Sequence, residues 1–284
     1  MASISSLFGY ILDFIYNLIN NYGLAIILFS VLLKLVLLPL SIKQQKTMKK
    51  TTKIQGKVKE IQEKYKNDQN KMNQELMDLY KRENMSPFSG CLTSIIQIII
   101  LFAMFGLVRN PLTYMKKIDS GIIENYKTEM RQELGENSIS SNYPEISVLK
   151  YVNNYKTQED PLYINTDFYG LDLSKIPQEN LDDWTVYIIP ALYVITTFIS
   201  MQITTKMTNT KKDEDKVIEK ENKEENAEEM AMQMNKSMTW FMPIMSISIS
   251  IIAPLGLALY WLVNNILMIV ERLILNKCLK SEEE

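Results

Sequence analysis

YGLAIILFSVLLKLVLLPLSIKQQKTMKK, the sequence of residues 22–50, joins a long apolar segment to a dense basic one. The apolar part runs from Tyr22 to Leu40, and a helix of about 20 such residues crosses the hydrocarbon core of a bilayer. Lys34 is the only charged residue within it, and the basic run begins at Lys43. The segment therefore predicts a membrane-spanning helix that enters a positively charged region.

Four more apolar segments follow and predict an all-α polytopic membrane protein with five transmembrane helices. Backbone polar groups in lipid must be paired within the protein, so each segment is expected to be helical. The predicted spans are residues 22–42, 88–108, 184–205, 238–253 and 254–275. The fourth is short and contains Pro243, which predicts local thinning of the bilayer or an extension of this helix by the residues before it.

The charges of the loops predict the orientation of these spans. Residues 41–84 hold 12 Lys and Arg against 6 Asp and Glu, whereas residues 109–183 hold 8 against 13. Loops rich in Lys and Arg stay in the cytoplasm. The basic region at 43–87 is therefore expected inside the cell and the 109–183 loop outside it. The N-terminus is then outside, and the charged loop at 206–237 and the tail at 276–284 are cytoplasmic.

The N-terminal residues 1–21 have a different pattern from the spans. Apolar side chains recur at helical spacing, and Asp13 and Asn17 lie elsewhere around the helix. This pattern predicts an amphipathic helix that lies at the outer interface of the membrane. A sixth span is the alternative that the pattern leaves open.

The basic region predicts a helical hairpin with a narrow apolar seam on each arm. The seam residues are Ile54, Val58, Ile61 and Tyr65 on the first arm and Met72, Leu76 and Leu79 on the second. The sequence KNDQNK at 66–71 supplies the turn. A solvated coiled hairpin without a partner is one interpretation of this pattern.

The lysines of the hairpin suit anionic lipid headgroups or proximity to the ribosome. The residues expected to make these contacts are Lys46, Lys49, Lys50, Lys53 and Lys57. Few aromatic residues lie among them, so we expect no sequence-specific recognition of nucleic acid.

Lys34 is the most informative single residue. A Lys near the centre of a membrane helix costs about 2.5–3.5 kcal/mol on insertion scales. Snorkelling towards the cytoplasmic surface is one way to reduce this cost. No Asp or Glu lies within the five apolar stretches, and Glu271 follows the last of them, which ends at Val270. We therefore expect Lys34 to lack an internal ion pair and to face water and neutral polar groups.

Polar side chains in the other spans are the candidates to line such a hydrated groove. They are Gln97, Thr197, Ser200, Gln202, Ser246, Ser250, Trp261, Asn264 and Asn265. Each of these alone is also typical of contacts that hold membrane helices together. With an unpaired cation they predict a cavity that attracts an anionic group on an entering molecule.

Composition excludes several kinds of chemistry. The chain has no histidine, and its two cysteines are far apart, which excludes Ser-His-Asp triads and imidazole zinc sites. A Ser30–Lys34 pair at i, i+4 is the one conceivable nucleophile. We expect no catalytic residue, metal or cofactor. A channel or secondary transporter that uses the same polar cavity is the alternative function, although the sequence shows no inverted repeat and no intramembrane carboxylate.

Several motifs occur together in the order found in one family of membrane proteins. They are YGLAII and LLKLVLLPLSIKQQKTMKK in the first span, IQEKYKND and LYKRENMSPFSGC in the hairpin, IIQIIILFAMF in the second span, DFYGLDLSKIP in the outer loop, YIIPALYVITTFISMQ in the third span and APLGLALYWLVNN at the fifth. Together they resemble the YidC/Oxa family of membrane protein insertases, and most closely its short Gram-positive bacterial type.

The resemblance implies five helices around a hydrophilic groove that opens to the cytoplasm and to lipid and is closed on the outer side. The cation in the family's groove is usually Arg, and its position matches Lys34. The implied function is the movement of nascent hydrophobic segments from the cytoplasm into the bilayer of the bacterial cell membrane. The implied partners are nascent membrane proteins, the ribosome, the Sec translocon and anionic lipids, with the protein acting as a monomer.

Overall fold

The computed structural model describes residues 2–83, 89–208 and 244–281, and most of these are helical. The helices are α1 Ala2–Ile19, α2 Tyr22–Lys64, α3 Gln69–Arg82, α4 Ser89–Arg109, α5 Pro111–Tyr114, α6 Ser120–Leu134, α7 Pro144–Tyr155, α8 Ile188–Thr208, α9 with described residues 244–252, and α10 Leu255–Ser281. Two short strands, β1 Asp167–Phe168 and β2 Leu171–Asp172, pair antiparallel. The predicted all-α class is confirmed.

Four of the described helices are long and apolar enough to cross a membrane. These segments are Ala2–Ile19, Tyr22–Ile54, Trp184–Thr204 and Leu255–Cys278, and Ile95–Arg109 is a shorter apolar helix. The chain is therefore a polytopic membrane protein. Part of the predicted fourth span and all of residues 209–237 lie outside the described residues. Whether α1 crosses the membrane or lies at its surface stays a prediction.

Helix α2 continues without a break from the first apolar span into the basic region. It contains 43 residues, which corresponds to roughly 65 Å at 1.5 Å per residue. Pro39 lies inside it, although proline removes one backbone donor and tends to kink a helix. The basic hairpin is therefore a direct extension of the membrane helix.

The predicted seam of the hairpin is confirmed. Helices α2 and α3 pack together through five buried residues, with three more packed against them, namely Ile54, Val58, Met72, Leu76 and Leu79, and Ile61, Tyr65 and Tyr80. The turn lies at the predicted place, because α2 ends at Lys64 and α3 begins at Gln69. The side chain of Asp68 caps α3 by accepting a hydrogen bond from the backbone N–H of Lys71 at 3.1 Å.

Leu76→Ala is expected to loosen this hairpin and leave the membrane helices intact. The Leu76 side chain is 4% exposed, whereas that of its neighbour Met77 is 40% exposed, so only the first change opens a cavity. The expected loss is about 2 kcal/mol of local stability. Amide exchange of α3 measures it, and Met77→Ala is the matched control. Equal exchange in the two variants would contradict the packing described here.

The predicted outer loop, residues 109–183, is a folded unit. Its buried apolar residues include Ile123, Met130, Ile146, Val148, Leu149, Tyr151, Val152, Leu162, Ile164, Leu173 and Ile176. The carboxylate of Glu145 on α7 accepts two hydrogen bonds from Thr113 on α5, from Oγ1 at 2.6 Å and from the backbone N–H at 3.0 Å. The sequence predicted only an outer loop here and did not show that its residues share a core.

The same unit holds the first residues of two membrane helices. The backbone N–H of Tyr22 in α2 donates to the carbonyl of Asn165 at 3.0 Å, and that of Gly256 in α10 donates to the carbonyl of Leu173 at 2.9 Å. Free N–H groups at a helix start need such acceptors. The contacts place the beginnings of α2 and α10 beside one another.

Helix α1 packs on α2, α4 and α5. Phe8 meets Phe29 of α2 edge to face, with ring centroids 5.5 Å apart. The hydroxyl of Ser5 donates to the carbonyl of Ala103 in α4 at 2.9 Å. Asp13 pairs with Lys116, just beyond α5, at 3.1 Å. The opposite face of α1 carries exposed apolar side chains, namely Leu7, Tyr10, Phe14 and Leu18.

Candidate functional site

Helix α10 presents polar side chains to two neighbouring helices. Residues seven positions apart lie on nearly the same face of a helix. Asn264 and Glu271 therefore share one face, and Asn265 and Arg272 share another. On the first face, Glu271 contacts α2. On the second face, Asn265 and Arg272 contact α8.

Lys34 of α2 forms an ion pair with Glu271 of α10. The distance from Nζ to Oε2 is 2.5 Å, and the two side chains are 23% and 10% exposed. The sequence-based prediction that Lys34 lacks an internal ion pair is therefore wrong. The Glu271 carboxylate offsets much of the free-energy cost of placing the Lys34 cation between the two helices, because the two charged groups are in direct contact.

The error came from equating the end of the apolar stretch with the end of the helix. The apolar stretch ends at Val270, but α10 continues to Ser281, past the predicted end of the fifth span at residue 275. Gly256 of α10 lies beside Tyr22 of α2, because a methyl group added at Gly256 would lie 3.2 Å from Cε1 of Tyr22. Distances along both helices can therefore be counted from these two residues. Lys34 then lies roughly 18 Å along α2 and Glu271 roughly 22 Å along α10, a difference that two long side chains can bridge.

The second face of α10 is hydrogen-bonded to threonines of α8. The Asn265 side-chain amide donates to Oγ1 of Thr197 at 2.7 Å, and the Arg272 guanidinium donates to Oγ1 of Thr204. Both pairs are spaced by seven residues, so they form successive rungs between the two helices. Trp261 lies one turn before Asn265 in α10, and the centroid of its ring is 5.8 Å from that of Tyr193 on α8.

The other predicted groove residues have different surroundings. Ser200 and Ser250 are buried, and the Ser250 hydroxyl donates to its own helix at Ile247. The Asn264 amide donates to the carbonyl of Tyr260 at 2.9 Å. Ser246 interacts with Tyr193. Gln97 and Gln202 are exposed. Thr197, Trp261 and Asn265 thus join helices, and a role in lining a groove stays a prediction for the whole set.

A polar stripe on α2 extends the Lys34 site in both directions. Ser30, Lys34, Ser41 and Gln45 are separated by four, seven and four positions, which places them on one side of the helix. Ser30 and Gln45 are buried. The Ser30 hydroxyl donates to the carbonyl of Ile26 at 2.8 Å, so its proton is held by backbone and not directed to Lys34.

Glu271 and Arg272 belong to this site and were absent from the predicted set. A signal for Glu271 was present, since it lies seven positions after Asn264 on a helix with no proline between them. Arg272 interacts electrostatically with Glu271. The cluster of Lys34, Glu271 and Arg272 therefore combines two cations with one anion.

The predicted contact lysines lie on the part of α2 that extends beyond the predicted span at residues 22–42. Lys46, Lys50, Lys53 and Lys57 are exposed, and Lys49 is half-buried. The ammonium of Lys57 pairs with the Glu83 carboxylate at 2.9 Å, which holds the end of α3 against α2 and lowers the pKa of Glu83. Contact of these lysines with lipid or ribosome stays a prediction.

The fold and the site define a polytopic membrane protein with a half-buried ion pair between two parallel membrane helices. Residues 14–283 match the model of the family described as 60Kd inner membrane protein. The chain therefore belongs to this family, and the YidC/Oxa resemblance of its motifs is confirmed.

Three relatives give the scale of the similarity, and each is named membrane protein insertase YidC. The protein of Caldanaerobacter subterraneus subsp. tengcongensis is 28% identical, and the match covers 99% of this chain and all of the relative. That of Treponema denticola is 26% identical over 99% of this chain, and that of Syntrophobacter fumaroxidans is 29% identical over 94%. The chain spans only 38% and 37% of these two relatives. With the apolar helices, the matches show a multi-pass protein of the bacterial cell membrane.

Proposed function

We propose that this protein is a membrane protein insertase, which moves nascent hydrophobic segments from the cytoplasm into the bilayer. The observation that carries the proposal is the Lys34 ammonium, held 23% exposed between two membrane helices. A cation at this depth is expensive and is therefore a functional residue by default. The names of the relatives point to the same activity.

The proposed topology follows the loop charges. The N-terminus and the 109–183 unit lie outside, and the hairpin and the C-terminus lie in the cytoplasm. Helix α1 lies at the outer interface. Its contacts with Ala103, the turn at α5 and Lys116 support this position, because these residues are at or near the predicted outer end of α4.

The proposed mechanism transfers the passenger in three steps. The basic hairpin captures the nascent segment near the ribosome and anionic lipid. An acidic residue of the passenger then approaches Lys34, which reduces its desolvation cost. The apolar part leaves along exposed side chains of α4 and α8, among them Phe102, Ile195, Phe198 and Ile199, and the polar part crosses a thinned bilayer. No bond is made or broken, so the proposal includes no enzymatic step and no cofactor.

The channel or transporter alternative is not favoured by the relatives, which share a different name and function. Action as a monomer and cooperation with the Sec translocon belong to the proposal. Solute flux in proteoliposomes without a nascent chain would favour the alternative.

The decisive experiment removes the charge of Lys34 without leaving Glu271 alone. Lys34→Ala/Glu271→Ala is compared with wild type in a bacterial strain depleted of its own insertase. Two single-span passengers differ only by Asp or Asn in the translocated tail, and protease protection measures insertion. We expect the double variant to lose at least about tenfold in insertion of the Asp passenger.

Membrane abundance of the two proteins is measured alongside, because only variants at equal amounts can be compared. Lys34→Arg is the control that keeps the charge, and it is expected to retain most of the insertion. Wild-type insertion of the Asp passenger by the double variant would contradict capture by Lys34.

A further inference from the structure

The Lys34 ammonium already has a carboxylate partner inside the protein. Glu271 Oε2 lies 2.5 Å from Nζ, which is the position that an acidic residue of a passenger would occupy in the proposed mechanism. A single ammonium can share its donors, but its charge is largely neutralised at this distance. A passenger therefore meets a pair and not a bare cation.

The pair is held on one side only. The other oxygen of Glu271, Oε1, is buried and has no hydrogen-bond partner among the described residues. A buried acceptor without a partner is costly, and a one-sided buried pair is much weaker than a fully hydrogen-bonded one. The Glu271 side chain is thus held by its charge, and Arg272 beside it contributes a second attraction.

The charges of the cluster permit exchange of one carboxylate for another. When a passenger carboxylate replaces Glu271 at Lys34, the ammonium keeps one carboxylate partner throughout, and the net charge of the cluster falls from +1 to 0. The displaced carboxylate still interacts electrostatically with Arg272, the next residue of the same helix. A passenger without an acidic residue offers no such exchange, and a basic passenger is attracted to Glu271.

We propose that Glu271 is a specificity-determining residue that competes with the carboxylate of a passenger for Lys34. The proposal rests on the insertase function above. It implies that the protein prefers acidic over neutral passengers less strongly than it would if Lys34 were unpaired. Glu271 then determines the ratio in which the two passengers are inserted.

The test measures the ratio of Asp-passenger to Asn-passenger insertion for several full-length variants in proteoliposomes. Glu271→Gln keeps the size of the side chain and frees Lys34, so the ratio is expected to rise about fivefold. A Lys-tailed passenger is expected to show the opposite change. Glu124→Gln is the matched control, because Glu124 also pairs with a lysine, Lys127 at 3.0 Å, on α6 far along the chain. Its ratio is expected to equal that of wild type.

Glu271→Asp provides a second route if Glu271→Gln does not accumulate. Its side chain is one methylene shorter, so it weakens the pair without removing the charge, and a smaller rise in the ratio is expected. A merely structural role of Glu271 would lower insertion of all three passengers equally and leave the ratios unchanged. That result, in either variant, overturns the proposal.

The outcomes separate this inference from the function on which it depends. If Lys34→Gln/Glu271→Gln abolishes the preference for Asp while both single Glu271 variants keep the wild-type ratio, capture by Lys34 stands and competition by Glu271 is wrong. If wild type inserts none of the passengers above the level of empty liposomes, both the function and the inference are wrong.

Discussion

Lys34→Glu is expected to remove most of the folded protein from the membrane. The new carboxylate would face Glu271 where the present pair is separated by 2.5 Å. An uncompensated charge at a buried pair costs about 3–5 kcal/mol, which approaches the whole stability of many domains, about 5–15 kcal/mol. Membrane abundance and the thermal midpoint in detergent measure the effect.

The charge exchange Lys34→Glu/Glu271→Lys is the control for this prediction. It restores opposite charges between α2 and α10 and is therefore expected to recover most of the abundance. Recovery shows that the loss comes from repulsion and not from the chemistry of residue 34 alone. Lys34→Glu at wild-type abundance would contradict the contact between the two helices.

Gly9→Ala is expected to displace α1 from the rest of the protein. A Cβ at Gly9 would lie 1.9 Å from the carbonyl oxygen and 2.5 Å from the carbonyl carbon of Tyr114. Both are backbone atoms at α5, so no side chain can turn away to make room. We expect a loss of about 3 kcal/mol or more, the upper end for overpacking. The thermal midpoint in detergent and protease cleavage within α1 measure it.

Gly56→Ala is the matched control for Gly9→Ala. Gly56 is also inside a helix, and nothing lies within 4 Å of the position of its Cβ. The gain of a better helix former is expected to stabilise α2 by up to about 1 kcal/mol. Opposite signs for the two substitutions are therefore expected, and equal effects would show that α1 does not pack closely on α5.

The elements that could be predicted from the sequence are those that depend on neighbours along the chain. The hairpin is the clearest case, because Ile54, Val58, Met72, Leu76 and Leu79 recur at helical spacing and are all buried in its seam. A period of 3.6 residues is visible in a single helix before any partner is known. The apolar helices and the motifs of the family are equally local signals.

The site could be predicted only in part. Lys34 was recognised because a charged residue in an apolar segment has a high free-energy cost. Thr197 and Asn265 were recognised as polar residues in membrane helices. Their pairing with each other across α8 and α10 was not predicted. Carboxylates were sought only within the apolar stretch that ends at Val270, and this removed Glu271 and Arg272 from consideration although the predicted fifth span runs to residue 275.

The sequence alone determined that this chain is a multi-spanning, all-α membrane protein with a basic helical hairpin and a cation in its first apolar span. These properties follow from hydrophobicity and periodicity, which each segment carries by itself. Only the tertiary structure decided that Lys34 has Glu271 as its partner. The starts of α2 and α10 are held side by side by Asn165 and Leu173, and their parallel course sets which residues meet. That alignment arises from contacts between residues far apart in the chain, which no local pattern contains.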